Sequence, residues 1–165
     1  MSLTLILFVT LASFLQVGAL PVLFPDPWSV PLLPVALVAA WSVNRSCDEV
    51  WIALLPAAVL PGIVSTQRSG WFLMALLPVA LIGEVVTQTI AGEQRGLRWR
   101  LPATASVAGL GTLSYLLLLA IVGRDLHSLS EAIPTIVGAT LETSAIAVVL
   151  TPLLQPRRRR HGLFT

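Results

Sequence analysis

The stretch GWFLMALLPVALIGEVVTQTI at residues 70–90 contains a single ionisable side chain, Glu84. A helix rises 1.5 Å per residue, so roughly 20 such residues cross a hydrocarbon core of about 30 Å. Working outward from this run, the same reading places helices at about 3–23, 28–43, 50–65, 101–123 and 132–154. The chain of 165 residues is 56% apolar and 11% charged, with a mean hydropathy of +0.88, which is outside the range of soluble domains. The expectation is an all-α polytopic membrane protein of about six transmembrane helices. Residues 1–155 would form one bundle and residues 156–165 a basic cytoplasmic tail.

The second and third segments are short, near 16 residues, and each carries two prolines, Pro31 with Pro34 and Pro56 with Pro61. A proline inside a span frees a backbone carbonyl that neighbouring helices or water must satisfy. These two segments are therefore expected to be kinked, and the 28–65 hairpin either crosses twice or dips and returns. Val17-Gly18-Ala19 resembles a signal-peptide cleavage site, but no Lys or Arg precedes it, so the first segment is read as a membrane helix.

Every basic residue is an arginine, and the positive-inside rule orients the chain. With both ends in the cytoplasm, the inner segments hold Arg45, then Arg95, Arg98 and Arg100, then Arg157, Arg158, Arg159 and Arg160, eight in all, against Arg68 and Arg124 outside. Tryptophan prefers the headgroup level. On this layout Trp28 and Trp71 fall at the outer interface and Trp41, Trp51 and Trp99 at the inner one. The loop at 123–131 is expected to end in Ser128 or Ser130 as a helix cap. The arginine tail attracts an anionic inner leaflet by roughly 1 kcal/mol per residue; a topology lock with lipid contact and an anionic cytoplasmic partner are the two readings of that run.

Several chemistries are excluded. Nucleic-acid binders carry their arginines on a solvated face rather than between long apolar runs. One cysteine, Cys47, and two distant histidines, His127 and His161, assemble neither a disulfide nor a zinc site. No H-E-x-x-H or G-x-S-x-G occurs, and no intramembrane serine has a histidine to activate it. No catalytic residue, cofactor site or metal site is expected.

Three polar residues within the spans remain as candidates, Gln16, Glu84 and Glu142. An intramembrane carboxylate marks a proton or cation path, or a polar contact to a ligand or partner helix. Alternatively, both glutamates are protonated and hydrogen-bonded within the bundle, where Gln16, Thr87, Gln88, Thr140, Thr143 and Ser144 supply neighbours. Small residues recur at four-residue spacing: Ala53 with Ala57, Ala58 with Gly62, and Ala105 with Gly109. That spacing allows close helix approach, either within the bundle or onto another membrane protein.

The first segment ends Phe14-Leu15-Gln16-Val17 before a proline-bearing loop. Two short helices follow, and Pro61-Gly62-Ile63-Val64-Ser65 leads into Ser69-Gly70-Trp71-Phe72-Leu73-Met74-Ala75-Leu76. Over roughly its first half the chain resembles the rod-shape-determining MreD family, in layout more than in motif. The Asp and the second Gly that family members commonly show near the third-to-fourth junction are missing. The resemblance implies a non-enzymatic scaffold of the cell-elongation machinery in the bacterial cytoplasmic membrane. Its partners would be an MreC-like single-span periplasmic protein, an MreB-like actin homologue and peptidoglycan synthases. Two other classes fit the layout: the substrate-binding S component of an energy-coupling-factor vitamin transporter, which would dock through Ala36 and Ala40, and a proton-coupled carrier using Glu84 and Glu142.

Overall fold

The computed structural model describes residues 3–23, 30–44, 47–64, 69–91, 96–123 and 126–154. All regular structure among them is helical: α1 Leu3–Gly18, α2 Leu20–Leu23, α3 Leu33–Asn44, α4 Cys47–Val64, α5 Ser69–Ala91, α6 Leu97–Gly123 and α7 Leu126–Leu154. Segments of α5, α6 and α7, namely Gly70–Thr89, Leu97–Leu118 and Ile136–Leu154, are long and apolar enough to cross a membrane. The helices α1 and α3 are apolar but shorter. Large aliphatic side chains are exposed on the outer faces, among them Ile63 at 70% and Leu153 at 73%. A water-soluble domain does not present apolar surface on that scale.

Five helices surround one. Around α3 the order is α1, α4, α5, α6, α7, each packed on the next, and every one of them also touches α3. Among the described residues α7 and α1 do not pack against each other. The sequence LPVALVAAWSVN of α3 is accordingly buried from Pro34 to Asn44. Its 12 residues rise only about 18 Å, so α3 ends inside the bundle.

Prolines mark the end of α1 and the start of α3. Pro21 has no N–H to continue the first helix, and α1 stops at Gly18. Residues 30–32 are non-helical and buried, and α3 begins at Leu33, with Pro34 in its first turn where a missing N–H costs nothing. This irregular backbone is enclosed by the surrounding helices, with Val30 7% and Leu32 8% exposed.

Several expectations need correction. The second segment begins at 33 rather than 28 and is shorter than expected. The third, α4, is longer and runs through both Pro56 and Pro61 without interruption. The first turn of α6 takes in Arg98, Trp99 and Arg100, which were expected in a loop. Likewise α7 starts at Leu126, so Ser128 and Ser130 lie inside it rather than capping it. In α4, α6 and α7 helix continues past the apolar run, because a helix needs satisfied backbone rather than an apolar side chain at every position. Trp41 is not an interfacial anchor either: it is 2% exposed, and its indole Nε1 donates to Glu49 Oε2 at 2.9 Å.

Close approach defines two crossings. A Cβ built on Gly83 of α5 would lie 2.6 Å from Ser42 Oγ and 2.9 Å from Ser42 Cβ of α3. One built on Gly111 of α6 would lie 3.0 Å from both Val79 methyls of α5. Lipid tails are as apolar as leucine, so dispersion at such contacts, not the hydrophobic effect, holds these helices together.

Candidate functional site

The polar side chains of the interior gather at the two ends of α3. At its start, the Leu32 N–H donates to Thr143 Oγ1 of α7 at 2.9 Å, and the Leu33 N–H donates to Gln16 Oε1 of α1 at 2.9 Å. The Thr143 hydroxyl in turn donates to the Ala139 carbonyl. Two helices that do not touch each other thus share the capping of a third, whose first N–H groups have no partner within the helix. The positive end of the α3 dipole is thereby occupied by uncharged acceptors.

At the other end, Asn44 Nδ2 donates to the Ala40 carbonyl, and Asn44 Oδ1 lies 3.4 Å from Arg100 Nη1 of α6. The Thr87 hydroxyl of α5 lies between two carbonyls, Gly83 at 2.6 Å and Ser42 at 3.0 Å. One turn along α6 from Arg100, Thr104 and Thr151 of α7 are buried with their hydroxyls 3.1 Å apart, and Thr151 is 2.9 Å from the Ala147 carbonyl. The Thr151 hydroxyl is thus within hydrogen-bond reach of both the Thr104 hydroxyl and the Ala147 carbonyl. Thr151→Val is expected to cost about 0.6 kcal/mol, up to about 1.7, read as a small drop in the unfolding midpoint in detergent.

Of the candidates read from the sequence, Gln16 is a helix cap, half-buried between α1 and α3. Glu84 is half-buried on α5, its Oε1 3.3 Å from Gln88 Nε2. Glu142 is exposed on α7 and, among the described residues, accepts no hydrogen bond. Its neighbours in sequence are turned to other partners: Thr140 donates to the Ile136 carbonyl, and Ser144 lies 3.4 Å from the Ala105 carbonyl. The two carboxylates are not brought together, since α5 and α7 do not pack against each other. A charged side chain at the centre of a span costs about 2.5–3.5 kcal/mol on insertion scales, so the exposed position of Glu142 stands out.

Ala53, Ala57 and Ala58 are buried, and Gly62 is half-buried at the far end of α4. Ala105 and Gly109 face α7; a Cβ at Gly109 would sit 3.3 Å from Ser144 Oγ. Ala36 and Ala40 have no exposed surface, so neither is accessible to another protein. Arg98 is exposed and Arg100 half-buried in the first turn of α6. Arg95 and Arg157 to Arg160 lie outside the described residues.

Sequence reading did not single out Ser42, Asn44, Thr104, Thr112 or Thr151, all of them buried. Hydroxyls and amides of this kind are common in membrane helices, and no spacing rule distinguished these. Thr112 Oγ1 has no hydrogen-bond partner among the described residues. The described residues thus form an all-helical bundle, three of whose helices have the length and composition to cross a membrane, and Gln16, Thr87, Thr143 and Thr151 hydrogen-bond from one helix to another. No protein-family model, curated protein or solved structure matches it.

Proposed function

We propose that this chain is a non-enzymatic membrane scaffold of the bacterial cell-elongation machinery, MreD-like, spanning the cytoplasmic membrane about six times with both ends inside. One observation carries the scaffold reading. Gln16, Thr143, Thr87 and Ser144 are engaged with the backbones of neighbouring helices, whereas Glu142, without a partner among the described residues, faces outward. Such a distribution suits a rigid body that presents a surface to other membrane proteins. The link to cell elongation comes from the sequence resemblance, and the polybasic tail and the arginine-bearing 92–100 region would then face the actin homologue.

Copurification from membranes tests this. The expected result is a stable complex with a single-span, MreC-like periplasmic protein. A tightly retained vitamin with no single-span partner would overturn the proposal in favour of a transporter component.

A separate prediction distinguishes the scaffold from a carrier. Glu84→Gln combined with Glu142→Gln is expected to leave the fold intact, with a stability change of about 1 kcal/mol or less, because Glu142 is exposed, Glu84 only half-buried, and among the described residues the one bond altered is that to Gln88. Solute flux into vesicles that disappears in this double variant would count against the scaffold.

A further inference from the structure

Along the outer side of α7, Ile133, Val137, Leu141, Ala145, Val149 and Leu153 follow one another at four-residue intervals, and each is exposed. Glu142 lies within this strip. Gly138 and Ala145 flank it on the same face, and a Cβ at Gly138 would meet nothing within 4 Å. Among the described residues α7 packs on α6 and α3 and on no other helix, so the strip is unpartnered.

Among the described residues nothing answers the carboxylate. The adjacent hydroxyls are turned elsewhere, as described. The two arginines among the described residues sit in the first turn of α6, with Arg100 directed to Asn44. The α6 residue level with Glu142 is near Gly109, which contacts Thr140 and Ser144, so Arg100 is nine residues, on the order of 13 Å, further along the helix. An acyl chain offers no hydrogen-bond donor. A second copy of this chain, packed about a two-fold axis, would set one carboxylate against another.

We propose that the strip is the docking face for a transmembrane helix of another protein, one that carries a basic side chain at mid-membrane depth. That side chain pairs with Glu142 while the partner's backbone closes onto the space at Gly138 and Ala145, so each helix supplies the counter-charge the other lacks. The proposal rests on the scaffold reading and locates its contact.

The test uses the purified full chain, fluorescently labelled, in phosphatidylcholine vesicles. The probes are synthetic Leu/Ala transmembrane peptides of roughly 20 residues, identical except for Lys, Glu or Leu at the centre. Energy transfer is expected to show the Lys peptide binding at least about tenfold more tightly than the Leu peptide, a difference of about 1.4 kcal/mol. Both Glu142→Leu and Glu142→Gln should abolish that advantage, and Gly138→Leu should reduce it. Helix content is expected to be unchanged in all three, because Glu142 is exposed and a Cβ at Gly138 meets nothing within 4 Å.

Equal binding of the Lys and Leu peptides, or a Lys advantage that survives Glu142→Leu, would overturn the proposal. So would transfer between two labelled copies of the chain that Glu142→Leu removes, since the strip would then be a self-interface. Failure here with a single-span partner still copurifying leaves the scaffold intact and places its contact elsewhere. Lys-selective binding without that partner upholds the docking face and counts against the assignment to cell elongation.

Discussion

Replacing Gln16 by Leu and Thr143 by Val together is expected to destabilise the bundle by roughly 2–6 kcal/mol, at about 1–3 kcal/mol for each buried donor left unmade. The N–H groups of Leu32 and Leu33 would lose both acceptors at a helix start where neither lipid nor water replaces them. The measurement is thermal or denaturant unfolding in detergent micelles, followed by helix signal and by tryptophan fluorescence, to which Trp41, buried on the same helix, contributes. Thr143→Ser keeps the oxygen and is expected to lose well under half of what Thr143→Val loses. Equal losses for Ser and Val would show that packing of the methyl, not the hydrogen bond to Leu32, is what matters. The two single variants need not sum to the double, because both acceptors secure the same turn.

Gly83→Leu is expected to be the most damaging substitution at a helix crossing. Even a methyl there would lie 2.6 Å from the Ser42 hydroxyl and 2.9 Å from its Cβ. The hydroxyl can rotate, but the Cβ moves only with the α3 backbone, and α3 is enclosed on all sides. Overpacking of this kind typically costs about 1–3 kcal/mol and sometimes more, and here it would also separate Thr87 from the Ser42 carbonyl. Gly83→Ala should be intermediate, and Gly83→Ala with Ser42→Gly should recover most of the loss. Absence of that recovery would mean that the contact is not what requires glycine at 83. Gly138→Leu serves as the control, since that glycine faces open space.

These predictions depend unequally on what could be read from the chain. The runs at 70–90, 101–123 and 132–154 gave three helices correctly, although two of them extend further, back to Leu97 and Leu126. Hydropathy marks where a helix can meet lipid, not where it ends, so charged first turns such as Leu97-Arg98-Trp99-Arg100 were missed. Gln16, Glu84 and Glu142 were recognisable as polar residues within apolar runs. Their separate fates were not, because a lone polar residue carries no signal of the face it occupies.

What the sequence by itself determined is the all-helical character and the number of main segments. Apolar runs of this length leave the backbone no other way to satisfy its own hydrogen bonds away from water. Only the tertiary structure decided which segment is central. The α3 stretch LPVALVAAWSVN is no more apolar than its neighbours, and without a polar face opposing an apolar one, periodicity cannot separate a helix facing lipid from a helix facing protein. That choice rests on close contacts such as Gly83 against Ser42, and on the two distant acceptors, Gln16 and Thr143, that meet at the start of α3. The same choice turned Trp41 inward and left Glu142 facing outward on α7, neither of which follows from spacing along the chain.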